Sequence, residues 1–196
     1  MLPLIVGLTL FFLVHLVPTM PELRRGLTGR FGATGYKVAF SLISAAALIL
    51  IVLGYGKLQA APGKNPELWI APLWLRHVAL GLMLPAFVLL AAAYVPSRIR
   101  TAVRHPMLAA VKTWAFAHLL ANGDLASLLL FGSFLAYAVY DRISVRRRAA
   151  AGPLGESKGG IGNDALVVGV GTGLYLFMLL FGHAWLIGVP LLPGWT

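Results

Sequence analysis

The chain has 196 residues, of which 59% are hydrophobic and only 11% charged, and its formal net charge is +10. Soluble domains carry roughly 25% charged residues, so the composition excludes a soluble globular enzyme and implies an all-α, polytopic transmembrane bundle. Cysteine is absent, which excludes a disulfide framework and any thiolate-based metal or redox chemistry.

A spanning helix needs about 20 mostly apolar residues, and the hydropathy pattern predicts six membrane segments. The first covers 2–19. No basic stretch precedes it and no small-residue cleavage site follows, so it is expected to be a retained helix and not a signal peptide. The second covers 36–55. The third covers 68–95, with Pro72 near its start and Pro85 inside. The fourth, 106–121, and the fifth, 124–140, meet at Asn122-Gly123-Asp124. There Gly123 is expected to end one helix in a left-handed conformation and Asp124 to cap the next. The result is a tight helical hairpin whose arms are short for a full span. The sixth covers 164–189. Its Gly169 and Gly173 form a small-xxx-small pair expected to pack closely against a neighbour. These glycines are not a nucleotide fingerprint, because no strand precedes them. The six segments form a single integral membrane domain over 1–196.

The basic residues are not a nucleic-acid footprint, because they sit in short loops between apolar runs. Arg24, Arg25, Arg30 and Lys37 follow the first segment. Arg98, Arg100 and Arg104 follow the third. Arg142, Arg146, Arg147, Arg148 and Lys158 follow the fifth. The loop after the second holds only Lys57 and Lys64. This asymmetry places the N-terminus outside and the Arg-rich loops in the cytoplasm, beside anionic lipid headgroups. The stretch 142–162, rich in Arg, Gly and Ala, reads as a mobile, solvated anchor.

Ionisable groups at membrane depth are costly and are functional candidates by default. Five histidines, His15, His77, His105, His118 and His183, lie in or beside the apolar runs, with Arg76, Lys112 and Asp124. The densest stretch is 104–124. Pro106 suits a first helical position. His105 and Lys112, seven apart, share one helix face, and Trp114 and His118, four apart, share another. Imidazoles from two helices can clamp a haem iron from opposite sides. Each histidine also fits a plain interhelical hydrogen bond worth roughly 1 kcal/mol. Arg76 equally fits a snorkelling cation, Asp124 a helix cap, and Arg104 a boundary charge.

The run Arg104-His105-Pro106-Met107-Leu108, then Lys112-x-Trp114, then the continuous stretch from Ala117-His118 through Asn122-Gly123-Asp124 to Phe131-Gly132, resembles the NnrU family. Trp74-x-Arg76-His77 and Tyr140-Asp141-Arg142 resemble it too, and the likeness covers nearly the whole chain. It implies a protein of the bacterial cytoplasmic (inner) membrane, associated with nitrite and nitric oxide reduction. The chain is distantly similar to plant zeta-carotene isomerase, a haem b enzyme of the plastid membrane. That likeness implies haem b here, with His15 and His118 as axial ligands. It further implies Arg104, His105, Lys112, Arg76 and His77 as groups around the cofactor. Ala115 stands where the plant enzyme has a redox-responsive cysteine, so a cysteine-dependent ligand switch has no counterpart. His118 lies about 20 Å above Arg104 and His15 about 13 Å above Arg24 at 1.5 Å per residue. That offset makes His77 or His183 a reserve ligand. Arg104-His105-Pro106 also resembles membrane methyltransferases of the isoprenylcysteine carboxyl type. Met107-Leu108-Ala109 replaces the tyrosine and glycine found there, and the C-terminal acidic pair is missing, which argues against methyl transfer.

Three readings fit these residues. The first is a haem b protein for redox or small-gas chemistry or for the isomerisation of a polyene. The second is a cofactor-free assembly factor, in which the histidines only hold helices together. The third is a methyltransferase-like enzyme.

Overall fold

The computed structural model describes residues 1–61, 63–148 and 159–192. Among these the chain is helical, with a single isolated β-bridge and no strand. Five helical stretches are long and apolar enough to cross a membrane: Leu2–Thr19, Pro21–Gln59, Leu73–Ala92, Leu125–Arg147 and Ile161–Ile187. The packing has the residue sizes of a membrane protein. Ala47, Ala92, Ala115, Ala117, Ala126 and Ala138 are fully buried, whereas Leu2, Phe31, Ile70 and Trp185 are exposed. Without water to drive large side chains inward, helices approach through small residues and leave the large ones to lipid. The chain divides into two compact units, Met1–Pro66 and Glu67–Thr196.

In the first unit, α1 (Leu2–Leu16) runs through a 3-10 turn, Val17–Thr19, into α2 (Pro21–Gln59) and packs along it. Gly7 lies on the backbone of Ala47 and Ile51, and Gly54 on that of Leu4. A methyl at either position would push the helices apart. The second helix starts at Pro21, well before the expected residue 36. Residues 21–31 carry Glu22, Arg24, Arg25 and Arg30 and lack the apolar run that marked the rest. They are helical all the same, with Pro21 in the first turn and an Arg25–Glu22 pair one turn apart. Gly32, at φ 72° and ψ 160°, separates this polar stretch from the apolar remainder of α2, a backbone region open essentially to glycine alone.

In the second unit, α3 (Leu73–Ala92) packs against α5 (Pro106–Ala121) and α7 (Ile161–Phe177), and α5 packs against α6 (Leu125–Arg147). α3 starts at Leu73 and not at 68, because the preceding residues are held extended on the tip of the α5–α6 hairpin. Leu68 N–H and Trp69 N–H both donate to the Gly123 carbonyl, at 2.8 and 3.2 Å, and Glu67 bridges Asp124. Asp124 caps α6 as expected, accepting from Ser127 N–H at 2.9 Å and Ser127 Oγ–H at 2.6 Å. Gly123 is not left-handed: α5 ends instead on Asn122 in an extended conformation. Glycine is required there because a Cβ would overlap the Trp69 carbonyl.

α5 forms over the expected residues, but its 16 residues span about 24 Å, short of the ~30 Å hydrocarbon core. α6 runs to Arg147, past the expected 140, because Arg148 reaches back to Ser144 and Asp141 at 3.1 and 3.4 Å. Residues 142–147, expected in a mobile loop, are therefore helical. Residues 149–158 of that loop lie outside the described residues. A short helix not foreseen from sequence, α4 (Arg98–Val103), is capped by Ser97. The Arg98–Asp164 ion pair and a 2.6 Å bond from Asn163 Nδ2 to the Pro96 carbonyl join it to the start of α7. Ala91, Ala92 and Val167 form the α3–α7 core. The close glycine contact of α7 is Gly171, against Val88. Gly169 and Gly173 face open space, because two residues along a helix turn the chain to its opposite side. α7 then passes through a π turn, Met178–Gly182, into α8 (His183–Ile187), which Gly188 ends at φ 79°.

Candidate functional site

α5 begins at Pro106, whose missing N–H costs nothing in a first turn, and from there the helical period sets Trp114 under His118. Their rings lie 5.3 Å apart, as expected from the spacing. His118 Nδ1 lies 2.9 Å from the Trp114 carbonyl. A carbonyl only accepts, so Nδ1 carries the proton and Nε2 keeps its lone pair. Across the hairpin, Phe131 of α6 stacks on the imidazole at 4.4 Å and 26°. Phe131 and Phe134 both meet the Trp114 ring edge-on, at 5.0 and 5.5 Å. Asn122 Nδ2–H donates to the His118 carbonyl at 2.8 Å, locking the last turn. His118 Nε2 has no hydrogen-bond partner among the described residues.

His183 follows directly on the π turn, a feature frequent at functional sites. A Cβ at Gly182 would meet the Met178 Sδ and the Phe177 ring. His183 Nδ1–H donates to the Val189 carbonyl at 2.7 Å, so its Nε2 also keeps the lone pair. It lies within electrostatic reach of His118. The reserve ligand named from sequence lies in the same unit as His118.

The first unit repeats the arrangement. His15 Nδ1–H donates to the Phe11 carbonyl at 2.8 Å, four residues back. The imidazole stacks on Phe11 at 3.9 Å and lies 4.9 Å from Phe40, which neighbours Tyr36. The Tyr36 hydroxyl is buried with no hydrogen-bond partner among the described residues. Sequence reasoning passed over Tyr36, Phe40, Phe131 and Phe134. The signal for them was an aromatic opposite each histidine on the next helix.

The remaining candidates stand apart from these clusters. Arg76 and His77 are exposed in the first turn of α3. Lys112 is half-buried on α5. None of the three makes a hydrogen bond or ion pair among the described residues. Arg104 and His105 lie at the far end of α5 from His118, in a turn where Arg104 adopts φ 65°. Such a backbone angle is uncommon outside glycine, and no feature of the sequence announced it.

No group of three or more potential metal-ligating His, Cys, Asp or Glu side chains occurs among the described residues. Single imidazoles, His118 and His183 in the second unit and His15 in the first, are the metal-ligating side chains described above. A scan against protein-family models matches the family described as "NnrU protein" over residues 3–191. The chain belongs to the NnrU family. No curated protein and no solved structure matched it. The NnrU match spans both histidine–aromatic clusters, the hairpin and the strained turn, so all of these are features of an NnrU-family membrane protein.

Proposed function

We propose that this NnrU-family protein binds haem b in the membrane, with His118 as an axial ligand. The observation that carries the reading is the presentation of His118. A backbone carbonyl holds its Nδ1 proton, as second-shell partners of metal-bound histidines do. The lone pair of Nε2 is uncommitted, and three aromatic rings surround the site. The donor set fits the group, because haem iron takes one or two imidazoles and needs neither thiolate nor carboxylate. Haem held there would supply a one-electron couple. The residues themselves orient the imidazole and keep water away from it. A redox or small-gas role agrees with the association of the family with nitrite and nitric oxide reduction, and polyene isomerisation is the alternative drawn from the plant relative. We place the N-terminus outside the bacterial inner membrane on the charge asymmetry alone.

The second axial ligand is His15 by the family resemblance, or His183 by its place near His118. Reduced-minus-oxidised spectra of the protein from haem-replete cells, as wild type and as His118→Ala, His15→Ala and His183→Ala, decide both questions. A b-type spectrum lost or altered in His118→Ala supports the reading, and whichever second variant changes it names the partner. A folded wild type without haem overturns it and favours a cofactor-free assembly role.

A further inference from the structure

The 39 residues of α2 extend about 59 Å at 1.5 Å per residue, about twice the hydrocarbon core. Its contacts with α1 use Ala47, Ile51 and Gly54, in the apolar remainder. The polar start, 21–31, therefore lies outside the core, yet it is tethered to the membrane at both ends. Thr19 closes the first apolar span just ahead of it, and Gly32 leads on into the apolar part of α2. All residues of 21–31 except the half-buried Leu27 and Thr28 are exposed. An exposed helix this short is marginal in water, because nucleation is costly and most helical stability comes from packing an amphipathic face. Gly26 and Gly29 weaken it further, and the exposed Arg25–Glu22 pair offsets this only slightly.

The missing partner is written in the spacing. Leu23, Leu27 and Phe31 follow one another at intervals of four. At about 100° per residue they fall within an arc of about 80°, and the cap residue Met20 precedes it. Leu23 is 46% and Phe31 59% exposed. Arg24 and Arg30 border the arc, one on each side and each about 20° beyond it. The Arg30 guanidinium lies over the Phe31 ring, 5.5 Å from its centroid, so its stem follows the edge of the stripe, as snorkelling cations do. Arg25 and Glu22 fall on the opposite face. An apolar stripe edged by cations with a polar back is the pattern of a helix lying in a membrane interface.

We propose that residues 21–31 form an interfacial helix seated on an anionic lipid surface, with Leu23, Leu27 and Phe31 entering between the headgroups and Arg24 and Arg30 meeting lipid phosphates. The tether names the occupant. Both ends run directly into membrane-spanning segments, so the stripe is held at headgroup level, where lipid is present at high effective concentration. The charge makes that lipid anionic: three arginines stand against a single glutamate, which pairs with Arg25 on the far face. Gly32, at φ 72° and ψ 160°, breaks the helical path where a surface helix must turn into a spanning one. This goes beyond the haem reading and uses none of its histidines.

The chain has no cysteine, so single nitroxide labels at Leu23→Cys, Leu27→Cys and Arg25→Cys report each position in the full chain. Electron paramagnetic resonance compares access by oxygen, which concentrates in lipid, with access by a nickel chelate, which stays in water. The samples are nanodiscs of phosphatidylcholine with and without phosphatidylglycerol. With phosphatidylglycerol, the labels at 23 and 27 are expected to favour oxygen and the label at 25 the chelate. Adding Arg24→Gln or Arg30→Gln is expected to lower the ratio of immersed to water-exposed label at 23 and 27 about fivefold for each arginine lost. Labels at 23 and 27 as open to the chelate as the label at 25 would overturn the proposal. So would labels that neither reagent reaches, since protein and not lipid would then cover the stripe. Immersion that is unchanged without phosphatidylglycerol and in both arginine variants would overturn the anionic surface.

Discussion

Replacing Gly123 with alanine tests the joint that holds the α5–α6 hairpin to the chain entering α3. The Gly123 carbonyl accepts from both Leu68 N–H and Trp69 N–H, and the Trp69 carbonyl lies where a Cβ would stand. The methyl forces the two backbones apart. Two hydrogen bonds at about 1 kcal/mol each are lost, and displacement of a packed backbone adds about 1–3 kcal/mol. The sum, about 3–5 kcal/mol, lowers an apparent Tm on the order of 10 °C for a chain of this size. Thermal unfolding in mild detergent, followed by intrinsic tryptophan fluorescence, reads both the loss of stability and the environment of Trp69. Since Asn122 and Gly123 adjoin the last turn that carries His118, the same variant is expected to perturb any signal from the imidazole. Gly123→Ala with the unfolding temperature and Trp69 emission of the wild type would refute the contact itself, and with it the account of why α3 starts at Leu73.

Within α7, Gly171→Ala is expected to destabilise by about 1–3 kcal/mol through overlap with Val88. Gly169→Ala is expected to be neutral or stabilising by up to about 1 kcal/mol, since it faces open space and gains helix propensity; equal effects in paired melting curves would invalidate the assigned face. Asp124→Ala removes the cap on Ser127 N–H and is expected to cost about 1 kcal/mol, with unfolding midpoints as the check. Protonating His105 is unfavourable in the folded state, because burial and then Arg142 depress its pKa. Stability is therefore expected to fall as pH drops below the unfolded value of about 6.5, where the unfolded chain takes up the proton first. Unfolding midpoints across that range for wild type and His105→Gln check the sign, and the slope should flatten in the variant.

The apolar runs made most helices legible, because lipid demands long hydrophobic segments and continuous internal backbone bonding. The hairpin was legible for a local reason: Asp124 is a good cap wherever it lies. Several misses share a cause, which is that partners distant in sequence decided them. The start of α3 depends on Gly123, and the role of Gly123 depends on Trp69. The packing face of α7 depends on Val88 and not on glycine spacing. The polar start of α2 and the end of α6 are helices held by charged contacts, where a hydropathy window falls silent. His118 was legible as a candidate, but its aromatic surroundings come from α6, and the approach of His183 comes from α8.

The two local irregularities of the second unit fall beside its two groups of ionisable residues. A π turn precedes His183, which stands near His118, and a positive φ at Arg104 sets the cationic turn at the other end of α5. Departures of this kind persist only where the surrounding structure over-determines them, and natural proteins concentrate them at functional sites. The prediction that joins them is Gly182→Ala. A Cβ there collides with the Met178 and Phe177 side chains, so these side chains or the π turn must shift beside His183. The change is expected to alter the presentation of His183, while Arg104 and His105 stay where they are. Haem spectra that change in a folded Gly182→Ala would support His183 as the second ligand. Spectra identical to the wild type would remove His183 from the haem reading.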